Sequence, residues 1–356
     1  MKNRPEKKEV YSGIDVCKAI AAILIVILHA IETTDYFASE IKFVFTRFAV
    51  PFFFIASGFF FCKGLNKAEE PKKYFYQYEK NILKIFLIWG IIIYGPFTVV
   101  PYIQNNSTVG VFKIIGLLVR RMVVIGSGPY WYLVALFWST IFIYLCHVKK
   151  KDWLLGAGII GGLLLQVSYA CFRGVLSEMV IFAWFFKAIY VIYSWEFNFI
   201  MYGIPFVGIG YLICKKNIRF NPKISALVFV CSTLIRIVEY RLPTYFPNLT
   251  FWENNEITIG FIIQAIAYFN LAKELDFEIS KEKSLILRQW SSCVYFSHVI
   301  VLYNILNPLL GKFTTWPIYA PEFIAVKVII VISICTAFFL MIRKTKNQRL
   351  KILING

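Results

Sequence analysis

The chain has 356 residues, a formal net charge of +18, 59% hydrophobic residues, 18% aromatic residues and only 16% charged residues. Soluble domains average about 45–50% apolar and about 25% charged residues. With a mean hydropathy of +0.66, a soluble catalytic module is excluded and a polytopic membrane protein is expected.

The first element, Tyr11 to Thr34, is long enough to cross a bilayer, since roughly 20 apolar residues span about 30 Å of hydrocarbon. Lys2, Arg4, Lys7 and Lys8 precede it. No small-residue cleavage site follows a short apolar core, so it reads as a retained anchor. Asp15, Lys18, His29 and Glu32 interrupt its Ala, Ile, Leu and Val residues. At about 100° per residue, Lys18 and His29 differ by only about 20° around the axis and lie about 16 Å apart along it. Asp15 falls on the same side. Charge near mid-bilayer costs about 2.5–3.5 kcal/mol on insertion scales, so this stripe is expected to face one protein interior or wet channel.

The second span, 43–62, carries Arg47 near its outer end, Pro51, and Ser57-Gly58. Proline breaks the helical hydrogen-bond ladder, and small residues let helices approach closely. Further spans are expected at 82–101, 129–147, 153–171, 198–214, 224–240, 257–272, 288–306 and 323–342. Segments 108–128 and 178–197, interrupted by charges, read as interfacial helices or short extra spans. The expected fold is therefore an all-α bundle of about ten spanning helices in one domain, 1–356. Its tails, 1–12 and 343–356, are both expected on the cytoplasmic side.

The charge map supports this topology. Lys63, Lys67, Lys72, Lys73, Lys80 and Lys84, then Lys149 to Lys151, Lys215, Lys216, Lys281, Lys283, Arg343 and Lys344, fall in alternate connections, as the positive-inside rule requires. The basic excess reports membrane orientation and contact with anionic lipid rather than nucleic-acid binding. The eight cysteines are scattered, without CxxC pairs. They read as membrane-core residues, with no disulfide framework and no metal site.

Among residues able to carry chemistry, His29 is the type best suited to move a proton near neutral pH. Lys18, three turns nearer the cytoplasm, can hold an anion. Arg47 can meet an acidic or hydroxyl-bearing substrate. His298 lies inside the ninth expected span and reads as a second polar group of the cavity or as a hydrogen-bonded packing histidine. Trp131 reads as an interfacial ring or as cavity lining, His147 as part of a loop, and Arg236 with Glu239 as an i, i+3 pair that is structural or points at the acceptor.

DVCKAIAAILIVILHA followed by RFAVPFFFIASGFFF resembles the start of acyltransferase family 3, integral-membrane transacylases that O-acylate cell-surface glycans and related molecules. Lys18 and His29 match its first-helix signature of a basic residue, ten residues, then histidine. Phe52-Phe53-Phe54-Ile55-Ala56-Ser57-Gly58 matches its second helix. Pro129-Tyr130-Trp131 and Tyr295-Phe296-Ser297-His298 resemble later segments. The family usually has arginine at Lys18 and an arginine pair entering the third span, where this chain has Lys80-Asn81-Ile82-Leu83-Lys84. The resemblance implies an O-acyltransferase, in the first instance acetyl, of the cell membrane. It implies a cytoplasmic acyl-CoA donor, an acceptor hydroxyl on a carbohydrate or envelope molecule, and no tightly bound cofactor. His29 would be base or acyl carrier, with Arg47 beside it. Lys18, Lys80 and Lys84 would hold the donor, and Asp15 would set the position of Lys18. Some relatives carry a racemase domain and are thought to move amino acids, so a non-catalytic transporter is the alternative.

Overall fold

The computed structural model describes residues 11–32, 35–93, 95–97, 128–193, 198–245, 258–313, 321–347 and 350–354, with isolated positions between 110 and 119. Among these, the secondary structure is helical throughout. We number the principal helices α1 (Ser12–Ala30), α2 (Tyr36–Lys67), α3 (Pro71–Ile85, continued by a π-helical turn Phe86–Ile93), α4 (Gly128–Val148), α5 (Asp152–Cys171) and α6 (Val180–Tyr193). They continue with α7 (Phe199–Lys215), α8 (Pro222–Tyr245), α9 (Ile259–Glu274), α10 (Lys281–Lys312) and α11 (Pro321–Lys344).

Six of these, α1, α2, α4, α5, α10 and α11, are long and apolar enough to cross a membrane. The expected spans 198–214 and 257–272 fall on the shorter helices α7 and α9. The span 224–240 falls within α8, whose Arg236, Glu239 and Arg241 lower its hydropathy. The span 82–101 is described mainly in its first half, and 108–128 lies largely outside the described residues. The segment 178–197 contains α6, described over 14 residues and so about 21 Å; residues 194–197 lie outside the described residues. α6 packs on α5 through Phe186 and Tyr169, ring centroids 5.5 Å apart.

Helix directions follow from the contacts. α1 and α10 run parallel and in register: Asp15 meets Arg288, His29 meets Tyr303, and Glu32 meets Asn307. Lys215 at the end of α7 pairs with Asp152 at the start of α5 at 2.6 Å, and Arg343 at the end of α11 meets Glu282 at the start of α10 at 3.2 Å. The Lys63, Lys149 to Lys151, Lys215, Lys281 and Arg343 clusters therefore share the end of the bundle where α1 begins. The outward faces carry Ile160, Leu164, Leu227, Val238, Ile329 and Met341 exposed, an apolar exterior that suits contact with lipid.

α2 and α7 cross as a close parallel pair. A Cβ on Gly58 would stand 1.9 Å from the Val207 carbonyl oxygen, and one on Gly210 1.9 Å from that of Ile55. Both obstacles are backbone, so Gly58→Ala is expected to destabilise by about 1–3 kcal/mol or more. Gly156→Ala on α5, where nothing lies within 4 Å, serves as the control. Thermal melting in detergent compares them, and equal loss in both variants would refute the crossing.

α3 packs its Phe75 ring on Tyr144 of α4 at 3.9 Å and keeps Lys72, Lys73, Lys80 and Lys84 exposed. It buries Glu79, whose Oε1 lies 2.6 Å from Thr140 Oγ1. Burial raises the Glu79 carboxyl to about 7. The folded protein therefore holds a proton there that the unfolded chain releases, and this contribution to stability declines as pH rises from about 4.5 to about 7. Glu79→Gln is expected to flatten that part of the melting-temperature profile; an unchanged slope would contradict the assignment.

Candidate functional site

A cavity of about 300 Å³ opens among α1, α2, α3, α4 and α10, in the half of the bundle that holds the basic clusters. Its mouth is polar. Lys18 and Arg288 both lie against the Phe60 ring, at 5.2 and 6.0 Å from its centroid, with Tyr78 and Asn81 of α3 opposite. Farther in are Ser57, Phe53, Tyr132, Tyr295 and Phe296. Ser57 Oγ and Tyr132 Oη are 2.8 Å apart. Tyr295 packs on Phe53 at 5.5 Å and on Tyr132 at 5.4 Å, and its hydroxyl donates to the Pro129 carbonyl at 3.2 Å. These rings form an aromatic floor.

Arg288 is a site residue that the sequence alone does not single out. It is held by Asp15: Nε donates to Oδ1 at 3.0 Å and Nη2 to Oδ2 at 2.8 Å. Ser284 donates to the same carboxylate. Asp15 is fully buried, and a bidentate pair of this kind fixes the guanidinium plane. Asp15 thus orients Arg288, a partner that the expected role toward Lys18 did not include, while its charge also bears on Lys18. Lys18 has no ion-pair partner within 4 Å among the described residues, which leaves its ammonium available to a ligand.

The other expected residues distribute as follows. Lys80 and Lys84 are exposed and do not line the cavity; their neighbours Tyr78, Asn81, Ile82 and Ile85 do. Trp131 packs on Phe54 and Tyr202 at 5.7 and 5.4 Å, away from the cavity. His147 lies in the last turn of α4 rather than in a loop, with Nδ1 2.7 Å from Tyr211 Oη. Arg236 is fully buried, donates to the Phe43 carbonyl at 2.8 Å, and sits 3.6 Å from Glu239. That geometry is structural.

His29 does not line the cavity. It stands beyond the floor, its ring 5.1 Å from that of His298 and 6.3 Å from that of Tyr303. His298 is fully buried and lies 6.1 Å from Tyr295. From Lys18 the order is therefore cavity, Tyr295, His298, His29. The two residues share a side of α1 but, about 16 Å apart, they occupy two levels separated by an aromatic layer. The outer level is charged: Lys42 donates to the Ile31 carbonyl at 3.1 Å, and Lys42 and Arg47 bear electrostatically on His29. Among the described residues, no group of three or more His, Cys, Asp or Glu side chains is placed to hold a metal ion.

The sequence matches a family model described as acyltransferase domain over residues 11–348. Two curated relatives are similar over a shorter part of the chain. A serine/alanine racemase of Enterococcus gallinarum is 26% identical over 237 residues, covering 64% of this chain and 32% of the relative. An amino-acid racemase of Enterococcus faecalis is 31% identical over 229 residues, covering 61% of this chain and 30% of the relative. The matched part is thus about a third of the length of either relative. No solved structure gives a significant match.

Proposed function

This chain belongs to the acyltransferase domain family, and from that premise we propose that it is an O-acyltransferase of the cell membrane. It moves an acyl group, acetyl in the first instance, from acyl-CoA to a hydroxyl of a surface glycan or other envelope molecule. The observation that carries this reading is the cavity with Lys18 and the Asp15-held Arg288 at its mouth. An ammionium and an oriented guanidinium suit a phosphate-bearing donor, and the aromatic interior suits the apolar thioester end. With the basic clusters placed in the cytoplasm by the positive-inside rule, the donor enters from the cytoplasmic side and the histidines face the acceptor side. Lys80 and Lys84, on the exposed face of α3, would steer the donor toward the mouth rather than grip it.

In mechanism, His29 takes the acceptor's proton as general base or receives the acyl group first, with Arg47 adding positive charge near the developing oxyanion. Because Tyr295 stands between the cavity and His298, transfer requires that ring to turn aside. The test is CoA release from acetyl-CoA by the purified protein in lipid, with native envelope material as acceptor. Steady release supports the reading; its absence with folded protein refutes it.

A second reading has an observation of its own, the two relatives named as amino-acid racemases. On this reading the bundle moves an amino acid and does no chemistry. Uptake of labelled serine or alanine into proteoliposomes, without CoA release from acetyl-CoA, would favour it.

A further inference from the structure

We infer that His298 is a positioning residue for His29: it receives a ring N–H of His29 and so decides which His29 nitrogen is left to take the acceptor's proton. This rests on the acyl-transfer reading above, with His29 as its base.

His298 Nδ1 lies 3.1 Å from the Val294 carbonyl oxygen. A carbonyl only accepts, so Nδ1 carries the proton and Nε2 is a bare lone pair. Nε2 is buried and has no hydrogen-bond partner in the structure, whereas buried polar atoms generally find one. The side chain itself is fully buried. An acceptor atom so placed calls for a donor, and the neighbouring ring able to supply one is His29.

The spacing fits. Two imidazoles joined by a linear N–H···N bond of roughly 2.9 Å have centroids about 5 Å apart, and these stand at 5.1 Å with their planes inclined by 43°. No hydrogen bond to the His29 ring nitrogens is found among the described residues, so neither nitrogen is committed to another partner there. The backbone at this level is already fixed, because Tyr303 donates to the His29 carbonyl at 3.0 Å and α10 passes into a π-helical turn at Ile300–Leu306. Such turns are frequent at functional sites.

With one His29 nitrogen donating to His298 Nε2, the other presents its lone pair to the acceptor. In the step itself, the acceptor oxygen attacks the thioester carbonyl carbon and its proton passes to His29. The C–S bond then breaks and the departing thiolate takes that proton, leaving an ester, free CoA and neutral His29. His298 stabilises the transient imidazolium without touching substrate.

The experiment supplies radiolabelled acetyl-CoA to membrane vesicles that contain the protein and its native acceptor, and follows label incorporation. His298→Phe, which fills the space without an acceptor, is expected to lower the maximal rate about 100-fold with KM for acetyl-CoA unchanged. His298→Gln, which keeps an acceptor oxygen, should recover at least about tenfold over His298→Phe. In a His29→Ala background, His298→Phe should cost nothing further, since a residue acting through His29 has nothing left to position. Should His298→Phe fail to accumulate, His298→Leu replaces it. The inference is overturned by a full rate in His298→Phe, by His298→Gln as slow as His298→Phe with the same melting temperature, or by losses that add to that of His29→Ala. Wild-type vesicles that incorporate no label would overturn the acyl-transfer reading, and this inference with it.

Discussion

His29→Ala is expected to reduce acetyl transfer from acetyl-CoA by at least about 100-fold, the loss that accompanies removal of a positioned acid–base group. His29 sits in the last turn of α1, close to His298, with the charges of Arg47 and Lys42 bearing on it. It is separated from Lys18 and Arg288 by the Tyr295 layer. The loss should therefore appear in kcat, while KM for acetyl-CoA stays within about twofold, because an interaction made only in the transition state leaves ground-state binding intact. Steady-state kinetics on protein reconstituted in lipid measure both. A variant that retains the wild-type rate would remove His29 from the chemistry, and a large rise in donor KM would place it at the donor site instead.

Arg288→Ala is expected to act in the opposite way, raising KM for acetyl-CoA at least about tenfold, as loss of a charge-assisted contact to phosphate implies. It also carries a structural cost. The Asp15 carboxylate, fully buried, loses both guanidinium bonds and keeps Ser284 as its remaining side-chain donor among the described residues. Breaking a buried pair from one side typically costs about 3–5 kcal/mol. The Arg288 side chain is 41% exposed, so water reaches the site and the loss should lie at or below the lower figure. Arg288→Lys keeps the charge but loses the two-pronged geometry, and should fall between wild type and Arg288→Ala in KM. Melting temperature and KM are read together. If Arg288→Ala melts lower but binds donor normally, Arg288 is structural and Lys18 alone faces the ligand. If neither changes, the cavity mouth is not where the donor's phosphates rest.

The legible part of the site was that written within one helix. The eleven-position spacing of Lys18 and His29 gives a shared side of α1 from helical periodicity alone. Ser57-Gly58 announced a close crossing, and Gly58 meets the backbone of α7. The pair Arg236 and Glu239, one turn apart, was likewise readable and is structural. Arg288 escaped notice because its partner is 273 positions away. Nothing local distinguishes it from Lys281 or Lys283 at the start of the same helix. The expected common channel for Lys18 and His29 failed for a related reason: the layer between them is made by Tyr295 of α10 with Phe53 of α2 and Tyr132 of α4.

Composition and periodicity by themselves determined that this is a helical membrane protein with its basic residues gathered at one end, and that α1 carries a polar stripe. These are properties of single helices in hydrocarbon, where each segment must satisfy its own backbone hydrogen bonds and declare its own hydrophobicity. Tertiary structure alone decided which arginine joins Lys18, which ring closes the cavity, and which histidine stands beside His29. Those choices depend on the order and direction in which helices pack, and packing brings together side chains that no local pattern relates.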